Sequence, residues 1–300
     1  MVLKQLSDLN RLIPPGQKKK LAVAAAQDQH SLGAVLKAWQ AKIVEPILIG
    51  DKPEIESICE NNNYDIEGLT IIHEPDLEKA TELAVRMTSS READILMKGK
   101  IGTSMLLKGV LNKEWGLRTG NLLSHIALFE VETYHKVISV TDVAMNIAPR
   151  LQEKISIVNN SVICLNKLGY IMPKVAVLGA VEMVNPNMEA TLDAALLSKM
   201  NQRDQIRNCI IDGPLAFDNA VSLESAKHKG IRSEVAGDTD LLLMPDIEVG
   251  NVLYKSLVFF AKANVASIIL GAAVPIVLTS RSDSEQAKFD SILLAAAASR

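Results

Sequence analysis

Six places in the sequence set polar or charged side chains just past an apolar, strand-like run: Asp28, Lys98, Asp142, Asp212, Asp246 and the pair Ser280-Arg281. Carboxylates, an ammonium, a hydroxyl and a guanidinium at such exits can hold an anion and stabilise developing charge. Ligands of open α/β sheets bind outside the carboxyl ends of the strands. The richest stretch runs from Ala236 to Lys255. There an apolar run, Leu241 to Met244, empties into Pro245-Asp246, Glu248 shares the turn, and Gly250-Asn251 open an amphipathic helix. A second run, Val274 to Leu278, empties into Thr279-Ser280-Arg281, which puts a hydroxyl and a fixed cation at another exit. Such paired exits suit an anionic substrate.

Each candidate has a plainer reading. Lys98-Gly-Lys-Ile-Gly-Thr-Ser104 offers backbone N–H groups, two lysines and two hydroxyls at a helix start, as a phosphate cradle would. Taken alone it is also an ordinary loop and helix cap. It is no Walker A motif, and no GxGxxG dinucleotide fingerprint occurs. Arg281 either pairs with Asp283 or Glu285 on the surface or presents its fork to a phosphate beside a helix N-terminus. Ser280 lacks a surrounding GxSxG, so it reads as a donor to developing charge or as a helix-leading cap. The five histidines have no metal-site spacing, and each reads as solvated or satisfied. Asp193, Lys199, Arg203, Asp204 and Arg207 read as a solvated helix face.

The elements that must position these groups alternate. Strand-like runs cover 21–26, 43–49, 69–72, 95–97, 175–178, 209–211, 241–244, 268–270 and 274–278, and 126–131 with 136–140 read as a hairpin-like pair. Helical patterns cover 31–41, 77–89, 105–112, 149–168, 188–200, 220–229, 251–261 and 284–298, the last opened by a possible capping box at Ser282–Glu285. Repeated alternation predicts an α/β protein with a mostly parallel sheet and helices on both faces. A length of 300 residues suggests two domains, with the best boundary near 142–149. Hydrophobic residues make up 48% and aromatics only 4%, so Leu, Ile, Val and Ala must build the core. A net charge of −3 gives no case for nucleic acid or an anionic membrane surface. Cys59, Cys164 and Cys209 are far apart and read as reduced core residues of a cytoplasmic protein. No signal peptide and no membrane span is expected.

In their combined order, several segments resemble the phosphate acetyl/butyryltransferase family over nearly the whole chain. They are Met97–Ser104, Leu111–Gly120, Leu122–His125, Asp142–Pro149, Asp212–Asp218, Ala236–Asp240, Met244–Asn251 and Thr279–Arg281. The resemblance implies an isocitrate/isopropylmalate-dehydrogenase-like α/β fold in two domains, 1–142 with 272–300 and 143–271, with the active site in the cleft between them. It implies transfer of a short acyl group (butyryl, isobutyryl or similar) between coenzyme A and inorganic phosphate in a ternary complex; the alternatives are acetyl transfer to phosphate, or an NAD(P)-dependent dehydrogenase of the same fold. Coenzyme A is then a substrate, no other cofactor or metal is needed, and a homodimer or larger homo-oligomer is expected. By the same resemblance Arg281 holds phosphate and Ser280 stabilises tetrahedral charge. Lys98, Thr103, Arg118, Ser124, Asp142, Asp246 and Asn251 fall at substrate-binding positions. The acetyl branch has an aspartate seven residues after the serine as base for the thiol, where this chain has Ala287. That departure favours the butyryl branch and leaves Asp283, Glu285 or Asp246 as candidate bases.

Overall fold

The computed structural model describes residues 2–14, 16, 18–280 and 283–299. The chain divides into two compact units, Ser7–Asn121 with Ala266–Arg300, and Met1–Leu6 with Leu122–Val265. The sequence places the crossings at 142/143 and 271/272. The structure places them at 121/122 and 265/266, because the strand pair just after Leu122 belongs with the second unit.

In the first unit strands and helices alternate: β1 (Lys19–Ala24), α1 (Gln29–Gln40), β2 (Val44–Gly50), α2 (Lys52–Asn61), β3 (Thr70–His73), α3 (Leu77–Ser89), β4 (Ile95–Lys98) and α4 (Thr103–Val110). The second unit holds β5 (Ser124–Glu130), β6 (Ile138–Thr141), α5 (Leu151–Lys167), β7 (Lys174–Leu178), α6 (Glu189–Gln202), β8 (Ile210–Leu215), α7 (Phe217–Val221), α8 (Leu223–His228), β9 (Leu241–Leu243) and α9 (Ile247–Phe259). The chain then returns through β10 (Asn264–Leu270) to β11 (Ile276–Val277) and α10 (Glu285–Ala298).

The strand order in the first unit is β3-β2-β1-β4-β11-β10, parallel except where β10 meets β11. Central parallel strands are covered on both faces, which explains their continuous apolar runs, such as the buried Leu21–Ala24. The chain winds from β1 out to β3 and then returns to β4 on the other side of β1. The winding therefore reverses between β1 and β4, where open α/β sheets bind ligands. Register aligns Ala24 with Lys98 and Met97 with Val277, so β1, β4 and β11 end level.

In the second unit the order is β5-β6-β9-β7-β8, parallel except for β5. Because β5 runs the other way, its first residues lie where β6 and β9 end.

Several strand-exit carboxylates prove to be helix caps. Asp28 accepts from Ser31 N and Asp246 from Val249 N, satisfying donors that a helix start leaves unpaired. The predicted box at Ser282–Glu285 is displaced: Ser284 is the cap of α10, accepting from Ala287 N at 3.1 Å. Helix α5 starts at Leu151 rather than Pro149, and Glu153 accepts from Arg150 N at 2.8 Å. The single helix expected over 220–229 is broken at Ser222, whose side chain caps α8.

Candidate active site

In the first unit the level ends of β1, β4 and β11 gather Asp28, Lys98, Thr279 and Ser280 at one sheet edge. Gly99 allows this closeness, since a Cβ there would lie 2.0 Å from the carbonyl oxygen of Ala25. Lys98 is buried, with Nζ 3.4 Å from the carbonyl oxygens of Gly99 and Ile101. Thr103 is the exposed first residue of α4, which has no side-chain cap at Gly102.

Ser280 is exposed at the exit of β11. Its N–H donates to Asp283 Oδ2 at 2.7 Å, and Asp283 N–H donates back to the Ser280 carbonyl at 3.2 Å. This reciprocal pair ties the end of β11 to the residue before the cap of α10. Arg281, the predicted phosphate-binding residue, lies outside the described residues, as does Ser282. Asp283 thus acts as a brace for the Ser280 backbone. Burial works against the charge of Asp28, but hydrogen bonds from Ser31, with Lys288 and His30 adding, hold its carboxyl below the ordinary aspartate range. Arg118 stands apart. It is exposed, and its backbone bridges to Ala272, in the loop that enters β11 rather than leaves it.

In the second unit Ser124, His125, Asp142, Asp246 and Asn251 gather at the edge where β6 and β9 end. Asp142 is buried, and its carboxylate accepts from Ala144 N at 2.9 Å, Met145 N at 3.0 Å and Asn146 Nδ2 at 2.6 Å. The β5–β6 register, extended to its end, sets His125 opposite Asp142, and Thr141 Oγ1 donates to the His125 carbonyl at 2.7 Å. Ser124 is fully buried, and its hydroxyl accepts from Asn160 Nδ2 at 3.0 Å. Asn251 donates to the Val143 carbonyl at 3.3 Å. Asp212 accepts from the next residue's N–H, Gly213.

His125 corrects the expectation that each histidine is solvated or satisfied. It is 4% exposed, and Nδ1 has no hydrogen-bond partner. Its ring lies edge-on to Tyr254. Burial pushes the imidazole down to about 4, with Asp142 pulling the other way, so the ring is neutral near pH 7. The signal available in sequence was only its place inside an apolar run. Asp193 likewise belongs to no solvated face: it is buried and pairs with Lys154 at 2.7 Å. The three cysteines are free and buried, as expected.

Chemically, the first-unit edge offers the exposed Ser280, its backbone bonded to Asp283, with Lys98 ending the neighbouring strand. The second-unit edge offers a neutral imidazole and a fully braced carboxylate.

Comparison with known proteins gives this arrangement a context. The model of the phosphate acetyl/butaryl transferase family matches residues 1–83 and 74–296. A phosphate butyryltransferase of Clostridium acetobutylicum is 47% identical over 295 residues, covering 98% of each chain. A phosphate acetyltransferase of Thermotoga maritima is 49% identical over 296 residues, covering 99% of each. Among solved structures, a branched-chain phosphotransacylase from Enterococcus faecalis V583 superposes with a TM-score of 0.83 at 34% identity, covering 94% of this chain and 99% of that one.

Proposed function

The chain belongs to the phosphate acetyl/butaryl transferase family, and on that premise we propose that it moves a short acyl group between coenzyme A and inorganic phosphate, with butyryl or isobutyryl as the preferred group. The enzyme is an acyltransferase. A phosphate oxygen attacks the thioester carbonyl carbon, negative charge builds on the carbonyl oxygen, and the C–S bond breaks. Acyl phosphate leaves, and the thiolate takes up a proton as free coenzyme A. Holding both substrates at once converts this to an effectively unimolecular step.

The observation that carries the reading is Ser280 just past the end of β11, its backbone braced by Asp283, with the buried Lys98 ending the neighbouring strand. Ser280 would donate to the developing oxyanion from a fixed backbone. Arg281, the next residue, would grip phosphate through two parallel hydrogen bonds. Lys98, Thr103, Arg118, Ser124, Asp142, Asp246 and Asn251 remain proposed substrate-binding positions. For Ser124, Asp142, Asp246 and Asn251 the hydrogen bonds above support a role in shaping the site. The reaction as proposed asks for no cofactor beyond coenzyme A as substrate.

The similarity to a butyryltransferase and an acetyltransferase is nearly equal, so acetyl transfer is the second reading. One methylene is worth about 1–3 kcal/mol of discrimination, so a range of acyl groups should be used. Thiol release measured with acetyl-, propionyl-, butyryl- and isobutyryl-CoA, with and without phosphate, tests the proposal. Phosphate-dependent release that is fastest with the four-carbon groups is expected. A maximum at acetyl would select the second reading.

We also place the enzyme in the cytoplasm as a homodimer. No helix among the described residues is long and apolar enough to cross a membrane. An exposed apolar face on α9 supports self-association: only Gly250 of that helix is buried, while Val252, Phe259 and the following Phe260 are 65%, 60% and 90% exposed.

A further inference from the structure

A lysine that no strand-exit pattern reveals reaches Ser280. Lys288 lies in the first turns of α10, one residue past Ala287, itself a buried position. The Lys288 side chain runs back to the end of β11. It is 3% exposed, and Nζ donates to Thr279 Oγ1 at 3.2 Å and to the Ser280 carbonyl at 2.9 Å.

Both of those acceptors are neutral. Asp28, from the cap of α1, and Asp283, just before the cap of α10, lie close enough to act on the Lys288 charge, and Lys98 ends the neighbouring strand. Burying an ammonium against a hydroxyl and a carbonyl is costly, and an apolar side chain of similar volume would serve packing as well or better. The arrangement makes sense if it fixes something. Ser280 is held on both sides: its N–H by the Asp283 carboxylate, and its carbonyl by the Asp283 N–H and the Lys288 ammonium. Those bonds set the backbone of residue 280, and with it the aim of its side chain.

We propose that Lys288 is a positioning residue for acyl transfer, its ammonium clamping the Ser280 carbonyl and the Thr279 hydroxyl so that Ser280 is aimed at the reacting carbonyl. This rests on the acyl-transfer reading above. The clamp weakens when Lys288 loses its proton. Burial lowers the pKa of Lys288 from its ordinary 10.5, with Asp283 and Asp28 partly offsetting. A basic limb in kcat should therefore appear below the ordinary lysine range.

The test is a set of pH–rate profiles on the full chain with acyl-CoA and phosphate. Turnover by the unaltered protein decides the underlying reading before any variant is compared. Lys288→Met should lower kcat by about 10²-fold, the scale of a small misplacement in an active site, with KM for both substrates little changed. The basic limb should vanish with the lysine. Lys288→Met with kcat of the unaltered protein, or with the limb still at its original midpoint, overturns the proposal. Thr279→Val keeps volume and charge but removes one acceptor from the ammonium, so the limb should move to lower pH. This second variant decides the matter if Lys288→Met does not fold, and an unmoved limb in it overturns the proposal as well.

Discussion

The carbonyl oxygen of Asp142 occupies the space that a side chain at position 250 would need: a Cβ on Gly250 would lie 2.4 Å from it and 3.1 Å from Val143 Cα. Helix α9 therefore lies flush on the 142–143 turn, and the next residue, Asn251, bonds the Val143 carbonyl. Alanine in an exposed helix would ordinarily gain about 1 kcal/mol over glycine. Here the contact is with backbone, so the clash prevails. Gly250→Ala should lose about 1–3 kcal/mol, the range for overpacking a tight site. Urea unfolding with an unchanged slope and a lower midpoint would show it, and an equal or higher midpoint would contradict it.

Asp142 spends both carboxylate oxygens on N–H donors. Asp142→Asn replaces one acceptor by an NH2 group that must face such donors. A loss of about 1–3 kcal/mol of stability is expected. The 142–146 turn would shift, and kcat/KM should fall by about 10²-fold. Steady-state kinetics beside a denaturation curve check both. A variant with full activity would contradict the proposed substrate-binding role of Asp142.

Acid should unfold the second unit by two routes. An unfolded histidine takes a proton near pH 6.5, whereas His125 in the fold resists until about 4. Stability is thus full above about 6.5 and declines between 6.5 and 4, by up to about 3 kcal/mol. Asp238 adds a lower window. Burial opposes its charge, but Lys136, Lys174 and His135 outweigh burial and hold its carboxyl well below 3.8. Its contribution is complete above the unfolded value and is lost as pH falls through the folded one. Because this carboxylate is 46% exposed, solvent screening keeps that contribution small. Denaturation midpoints from pH 8 to pH 4 check the first window, and His125→Gln should flatten the slope between 6.5 and 4.

The α9 face gives a separate prediction. Phe260→Glu sets a charge among Val252 and Phe259, all exposed in one chain. Analytical ultracentrifugation should find a dimer for the unaltered protein and a monomer for the variant. A monomeric unaltered protein would leave this face unexplained as a self-association surface.

Much of this was readable in the sequence because buried parallel strands betray themselves. Leu21–Ala24, Ile95–Met97 and Leu241–Leu243 are unbroken apolar runs, and the polar residues just beyond each run must sit at the carboxyl edge of their sheet. Asp28, Lys98 and Asp246 were found that way. Two of the three turned out to cap helices, since a carboxylate between strand and helix satisfies both readings of the same spacing. Groups reaching the edge from elsewhere were invisible. Lys288 arrives from inside a helix by the length of its side chain, and His125 comes from the start of an antiparallel strand, where the alternation rule gives no exit. The crossings between units were misplaced because β5 and β6 read the same whichever unit owns them. Asp193 was misread because its partner Lys154 lies 39 residues away on another helix.

The central claim is that an acyl group passes from sulfur to a phosphate oxygen. Incubating the protein with butyryl-CoA and inorganic phosphate, then tracking phosphorus resonances and free thiol together, tests this most directly. The prediction is one acyl phosphate formed for each thiol released, with no release when phosphate is omitted. Thiol release without acyl phosphate would make the protein a thioesterase, and no release at all would remove the transfer reaction from it.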